Sequence, residues 1–165
     1  MKTLYTAEAV SKGGRQGTVW SSDRLLNVTL GNPLEQDAAD RGPSPELLFA
    51  GAYAACFHGA LRKVAEIPDQ PAMDSTVRAR VSLVEDDEGG SHLTVVLHAL
   101  LPGLDTVQAQ RLMTDAHKIC PYSKALRHGA SVTLVVDPPP GRTKATLPST
   151  PTMIENPTRP QSQPT

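Results

Sequence analysis

The hydrophobic positions along this chain change period several times, and each change marks an element. Residues 3–11 alternate loosely up to Gly13-Gly14, a turn signal, and a second stretch resumes from Gly17 to Ser21, so the start of the chain predicts a hairpin. A third short strand is expected over Leu25 to Leu30, and the aperiodic, acidic stretch from Gly31 to Pro43 reads as a loop. At Ser44 the pattern sharpens. The serine hydroxyl suits an N-cap, Pro45 the first helical position, and Glu46 the positive end of the helix dipole. The helix that starts there is apolar on nearly every side through Phe57 and turns amphipathic at Arg62-Lys63. It is expected to stop near Ile67, ahead of Pro68, and to lie buried at the centre of the fold.

Period two returns from Thr76 to Glu85, where Val77, Ala79, Val81 and Leu83 alternate with Arg78, Arg80 and Ser82. Leu93 to Leu100 repeats it, and the solvated turn Asp86-Asp87-Glu88-Gly89-Gly90-Ser91 between them makes the pair an antiparallel hairpin. Asp105 caps a second helix with apolar residues at Val107, Ala109, Met113, Ala116 and Ile119, which ends at Cys120 because Pro121 follows. A short helical piece over Ser123 to Arg127 and a last strand, Ser131 to Val136, complete the pattern. Strand runs around two main helices place the chain in the α+β class.

Composition bounds the picture. The 165 residues suffice for one domain with a proper core, taken here as 1–137. Beyond it, 138–165 hold eight prolines in 28 residues and few large apolar side chains, the composition of an extended or disordered tail. With 16 basic and 17 acidic side chains the net charge is −1, which offers no electrostatic footprint for nucleic acid or an anionic membrane. The N-terminus lacks a signal-peptide core and no apolar run reaches the ~20 residues that span a bilayer, so a cytoplasmic protein is expected. The five histidines show no HxxxH or CxxC spacing, so no metal site is expected.

The chain has two cysteines in unlike settings: Cys56 inside the apolar helix and Cys120 at a helix end. Free cysteine commonly serves as a small buried hydrophobe. In a reducing compartment a standing disulfide between the two is disfavoured, whereas a transient catalytic or sensing one is allowed. By themselves Arg15 suits a solvated turn, Glu46 a first-turn dipole partner and Tyr122 ordinary packing.

The segments Tyr53-Ala54-Ala55-Cys56-Phe57 and Cys120-Pro121-Tyr122-Ser123 resemble the organic hydroperoxide resistance branch of the OsmC/Ohr superfamily. Leu4-Tyr5-Thr6-Ala7, Gly13-Gly14-Arg15-Gln16-Gly17, Ser21-Ser22-Asp23 and Pro45-Glu46 before Leu48-Phe49-Ala50 carry the same resemblance in the same order, from about Leu4 to Val136. It implies an OsmC/Ohr-like fold, antiparallel strands around a central buried helix and a second helix, in an intertwined dimer. It further implies a thiol peroxidase acting on organic hydroperoxides, lipid-derived ones included, with no bound cofactor. Cys56 would be the peroxidatic and Cys120 the resolving cysteine, Arg15 would stabilise the thiolate and the peroxide, and Glu46 would orient Arg15. The reductant implied is a dithiol, dihydrolipoamide, carried by a lipoylated protein. Leu47 after Glu46, where the family commonly has glutamine, and the run Lys124 to Gly129 depart from the pattern, which leaves the OsmC subgroup open. Two other functions fit the same fold: a non-catalytic redox sensor, or a protein binding an apolar ligand.

Spacing adds an independent constraint. Glu46 and Cys56 are ten residues apart, ~15 Å along a straight helix at 1.5 Å per residue. Either the helix bends near Gly51 or Glu46 meets Cys56 of another subunit. The interface sites that the resemblance implies favour the second, and an obligate homodimer is expected.

Overall fold

Ser44 caps the longest helix as its sequence requires: its Oγ accepts from the Leu47 amide at 3.2 Å, and Pro45 opens the first turn. In the computed structural model, which describes residues 2–35, 42–65 and 74–138, this helix is α1, Pro45–Val64. It is preceded by β1 (Ala9–Lys12), β2 (Thr18–Ser21) and β3 (Asn27–Thr29), and followed by β4 (Thr76–Glu85) and β5 (Ser91–Leu100). Helices α2 (Thr106–Ile119) and α3 (Pro121–Leu126) then lead to β6 (Ser131–Val136). Asp105 and Gln108 form a complete capping box at the start of α2.

Two three-stranded sheets result, ordered β1-β2-β3 and β4-β5-β6. The second is the floor of the core. Val95, Leu97 and Ala99 point from β5 toward Tyr53, Phe57 and Leu61 of α1 and Met113 and Ala116 of α2, all at most 1% exposed. Each large side chain among them contributes ~1.5–3 kcal/mol of burial. The alternation read from the sequence survives in the register: Val77, Ala79 and Val81 of β4 pair with Ala99, Leu97 and Val95, while Arg78 and Arg80 lie on the other face.

The α+β class holds, with these corrections. The sheet is not purely antiparallel: β6 pairs with β5 in parallel, Leu97 opposite Leu134, because α2 and α3 form a crossover that returns the chain in the same direction. The first strand begins at Ala9, not Thr3. Ala9 pairs with Ser21, the last residue of β2, so residues before it have no strand beside them among the described residues, and Leu4 and Tyr5 stand 89% and 84% exposed. The third strand is shortened to Asn27–Thr29, since Leu25 and Leu26 are taken up by the turn that Asp23 and Ser21 hold through the Leu25 and Leu26 amides. Helix α1 has Val64 as its last residue; Ile67, residues 36–41 of the expected loop and residues 139–165 of the expected tail lie outside the described residues.

The expected burial of α1 is met on one side only. Leu47, Gly51, Ala52, Ala55 and Gly59 form an exposed face on the side opposite Tyr53 and Phe57. The first sheet is likewise uncovered: no residue of β1, β2 or β3 is buried.

Candidate active site

Helix α1 carries Cys56 on its flank, half-buried, one residue before the fully buried Phe57. Cys120 sits where α2 stops and α3 starts, with φ −60° and ψ 125°. Pro121 imposes that break, because its ring disfavours helical ψ at the residue before it. The break turns the Cys120 side chain into the core, and the two sulfurs lie 3.6 Å apart as free thiols. Burial pushes the Cys56 thiol up, and the nearby Cys120 adds to this; the Tyr122 backbone amide, donating to the Cys56 sulfur, opposes it. Among the described residues of its own chain, no cation offsets the burial.

The other expected pair also forms. Arg15 and Glu46 make a two-pronged ion pair, one prong running from Nη1 to Oε2 at 3.1 Å and the other from Nη2 to Oε1. Arg15 is presented by a 3-10 turn, Gly14–Gln16, entered through left-handed backbone at Gly13 (φ 84°) and Gly14 (φ 59°). Gly17 closes the turn where a Cβ would fall 1.7 Å from the Lys12 carbonyl oxygen, so only glycine fits. Arg15 holds the Glu46 carboxyl below the usual range against the opposing effect of burial. Gln16 reaches Glu35, which Asn32 also meets at 3.3 Å, tying the turn to the loop after β3.

The structure therefore assembles the four residues as two pairs and keeps the pairs apart within one chain. Helix α1 runs unbroken from Glu46 through Gly51 to Cys56, which leaves the ~15 Å axial separation in place.

Tyr53 and Ser123, which the sequence did not single out, stand beside the cysteines together with Tyr122. The Tyr53 hydroxyl meets Ser123 Oγ at 2.9 Å, both side chains at most 1% exposed. The Tyr122 ring stacks on Phe49, with centroids 6.0 Å apart and planes 4° from parallel, and tilts against Tyr53 at 5.8 Å. The available signal was a phenol in an otherwise non-polar stretch of helix, since a buried hydroxyl needs a partner. His58, about 200° round the helix from Cys56, turns away from it and meets Ser75 Oγ at 2.9 Å.

Among the described residues no three His, Cys, Asp or Glu side chains gather as around a metal ion, and no helix is long and apolar enough to cross a membrane. A groove of about 580 Å³ runs along the exposed side of α2 from Thr106 to Lys118 and includes neither cysteine.

A family model described as OsmC-like protein matches residues 37–135. An organic hydroperoxide resistance protein of Xanthomonas axonopodis pv. citri is 40% identical over 141 residues, covering 82% of this chain and 96% of that protein. Among solved structures, an organic hydroperoxide resistance protein from Legionella pneumophila superposes with a TM-score of 0.75 at 40% identity, covering 83% of this chain and all of that one. The organic hydroperoxide resistance protein OhrB of Bacillus subtilis gives 0.74 at 38% identity, over 82% of this chain and all of its own.

Proposed function

The chain belongs to the OsmC-like family, alongside the organic hydroperoxide resistance proteins, and from that membership we propose that it is a thiol peroxidase for organic hydroperoxides. The observation that carries the proposal is the 3.6 Å separation of the Cys56 and Cys120 sulfurs. The Cys56 thiolate attacks the distal oxygen of the hydroperoxide, the O–O bond breaks, and the departing alkoxide takes a proton to become the alcohol. Cys56 is left as a sulfenic acid. The Cys120 sulfur attacks it, water leaves, and an intramolecular disulfide forms. A dithiol reopens that bond by exchange and is itself oxidised to a cyclic disulfide. Dihydrolipoamide on a lipoylated protein fits this role.

Burial, with Cys120 beside it, raises the Cys56 pKa, so the thiolate needs a cation. Arg15, braced by Glu46, supplies it from the other subunit of a homodimer. Three features support the dimer: the unbroken α1 between Glu46 and Cys56, the exposed small-residue face of that helix, and the uncovered first sheet. The Phe49, Tyr53 and Tyr122 rings next to the cysteines favour a greasy peroxide over hydrogen peroxide.

The test is steady-state reduction of cumene hydroperoxide with dihydrolipoamide as electron donor, with intact mass of the oxidised protein. Turnover that disappears in Cys56→Ser, with a Cys56–Cys120 disulfide after peroxide, is expected. Thiols that stay unreactive toward the peroxide would overturn the reading. A single oxidation without turnover would point to a redox sensor on the same fold.

A further inference from the structure

We propose that the buried hydroxyl pair Tyr53–Ser123 is the positioning element for the resolving step, holding Cys120 within reach of Cys56. This rests on the peroxidase reading above and concerns its second step. Tyr53 stands three residues before Cys56 on α1, and Ser123 three residues after Cys120 on α3, so their hydrogen bond ties the two sulfur-bearing segments one helical turn from each sulfur. Phenylalanine would fill the same space as Tyr53, which packs with Phe57, Leu61 and Leu97 and is 0% exposed. The phenol oxygen is therefore not needed to fill the core. Its partner, Ser123, is 1% exposed and so equally removed from water. A hydroxyl pair in such surroundings has one satisfied geometry, because either group left alone is buried without a partner.

Helix α3 needs such a tie. It is six residues long and joined to α2 through the extended backbone of Cys120, so its own helical hydrogen bonds do not set its position against α1. The Tyr122 ring, stacked on Phe49, constrains the same segment from its half-exposed side, and the Tyr122 amide reaches the Cys56 sulfur. The hydroxyl pair closes it from the buried side. Freed from Tyr53, α3 can move outward and take Cys120 with it. The sulfenic acid on Cys56 would then wait for its partner, and a second peroxide would oxidise it to the sulfinic acid, adding another oxygen and releasing another alcohol.

Single-turnover kinetics with cumene hydroperoxide separate the steps: sulfenic acid formation is followed in a Cys120→Ser background and disulfide formation with both cysteines present. Tyr53→Phe and Ser123→Ala should each slow disulfide formation about five- to tenfold, the rate equivalent of one buried hydrogen bond. Sulfenic acid formation should slow less, and the sulfinic product seen by intact mass should rise. The double variant should be no slower than either single one, and Ser123→Thr, which keeps the hydroxyl, should resolve at the parent rate. Disulfide formation and sulfinic yield unchanged in both single variants, or Ser123→Thr as slow as Ser123→Ala, would show the pair to be structural only. A parent protein that forms no Cys56–Cys120 disulfide overturns the peroxidase reading and this role with it, whereas a parent that forms it while the variants match overturns this role alone.

Discussion

Cys56 and Cys120, 64 residues apart in sequence, meet with their sulfurs 3.6 Å apart. A disulfide bond is ~2.05 Å long, so closing it takes a movement of ~1.5 Å, within the range of side-chain rotation and a small shift of α3. Addition of one equivalent of organic hydroperoxide to the folded protein is expected to consume both thiols, measured by thiol titration without denaturant. In Cys120→Ser the sulfenic acid should persist long enough for capture by dimedone. Loss of only one thiol in the parent would contradict the geometry.

The Arg15–Glu46 pair predicts catalysis in trans. Arg15→Ala should slow oxidation of Cys56 by about a hundredfold, through lost thiolate and transition-state stabilisation. Cys56→Ser should be inactive. If Arg15 acts across the dimer, mixing the slowed and the inactive protein under conditions of subunit exchange raises activity well above that of Arg15→Ala alone, because the mixed dimer holds one complete site. No recovery on mixing, in exchanged dimers verified by native mass spectrometry, would place Arg15 with the cysteine of its own chain.

Gly17 tests the turn that presents Arg15. A methyl group there meets the Lys12 carbonyl oxygen at 1.7 Å, a backbone atom that cannot step aside as a side-chain tip would. Gly17→Ala is expected to cost ~2 kcal/mol or more in urea denaturation and to slow Cys56 oxidation as the Arg15 turn distorts. Gly51→Ala, in open space within one chain, should leave the stability of a dissociated monomer unchanged or raised, while weakening the dimer if α1 packs against its mate there.

Acid should destabilise the fold through histidine before it reaches the ion pair. Burial depresses the pKa of both His58 and His117, with Arg62 and Arg127 respectively adding to the effect. The unfolded chain thus binds these protons more readily than the folded one, so their contribution to stability is complete above about pH 6.5 and declines as pH falls below it. Glu46 behaves differently. Its carboxyl is held low by Arg15, so that contribution persists until pH falls below the ordinary carboxylate range. The urea midpoint should therefore be lower at pH 5.5 than at pH 7.5, and His117→Leu, which removes a buried nitrogen lacking a partner among the described residues, should flatten part of that slope. A midpoint constant over this interval would refute the assignment.

The helix starts at Ser44 and Asp105, the break at Cys120-Pro121 and the alternating strands β4 and β5 were legible in the sequence because each is decided within a few residues, by a cap, a fixed φ or a side-chain period. The candidate site residues were legible for another reason: Arg15, Glu46, Cys56 and Cys120 fall in motifs that resemble those of one family, in order. What the sequence could not decide depends on neighbours distant along the chain. Residues 3–8 alternate as a strand does, yet hydrogen bonding needs a partner strand and β2 ends at Ser21. The parallel pairing of β6 follows from how the α2–α3 crossover packs, not from any residue of Ser131–Val136. Tyr53 and Ser123, 70 residues apart, each look ordinary alone. Local sequence thus set where elements begin and what chemistry they carry; only the tertiary structure decided which groups meet, since a buried hydroxyl or thiol acquires its role from the partner that replaces water.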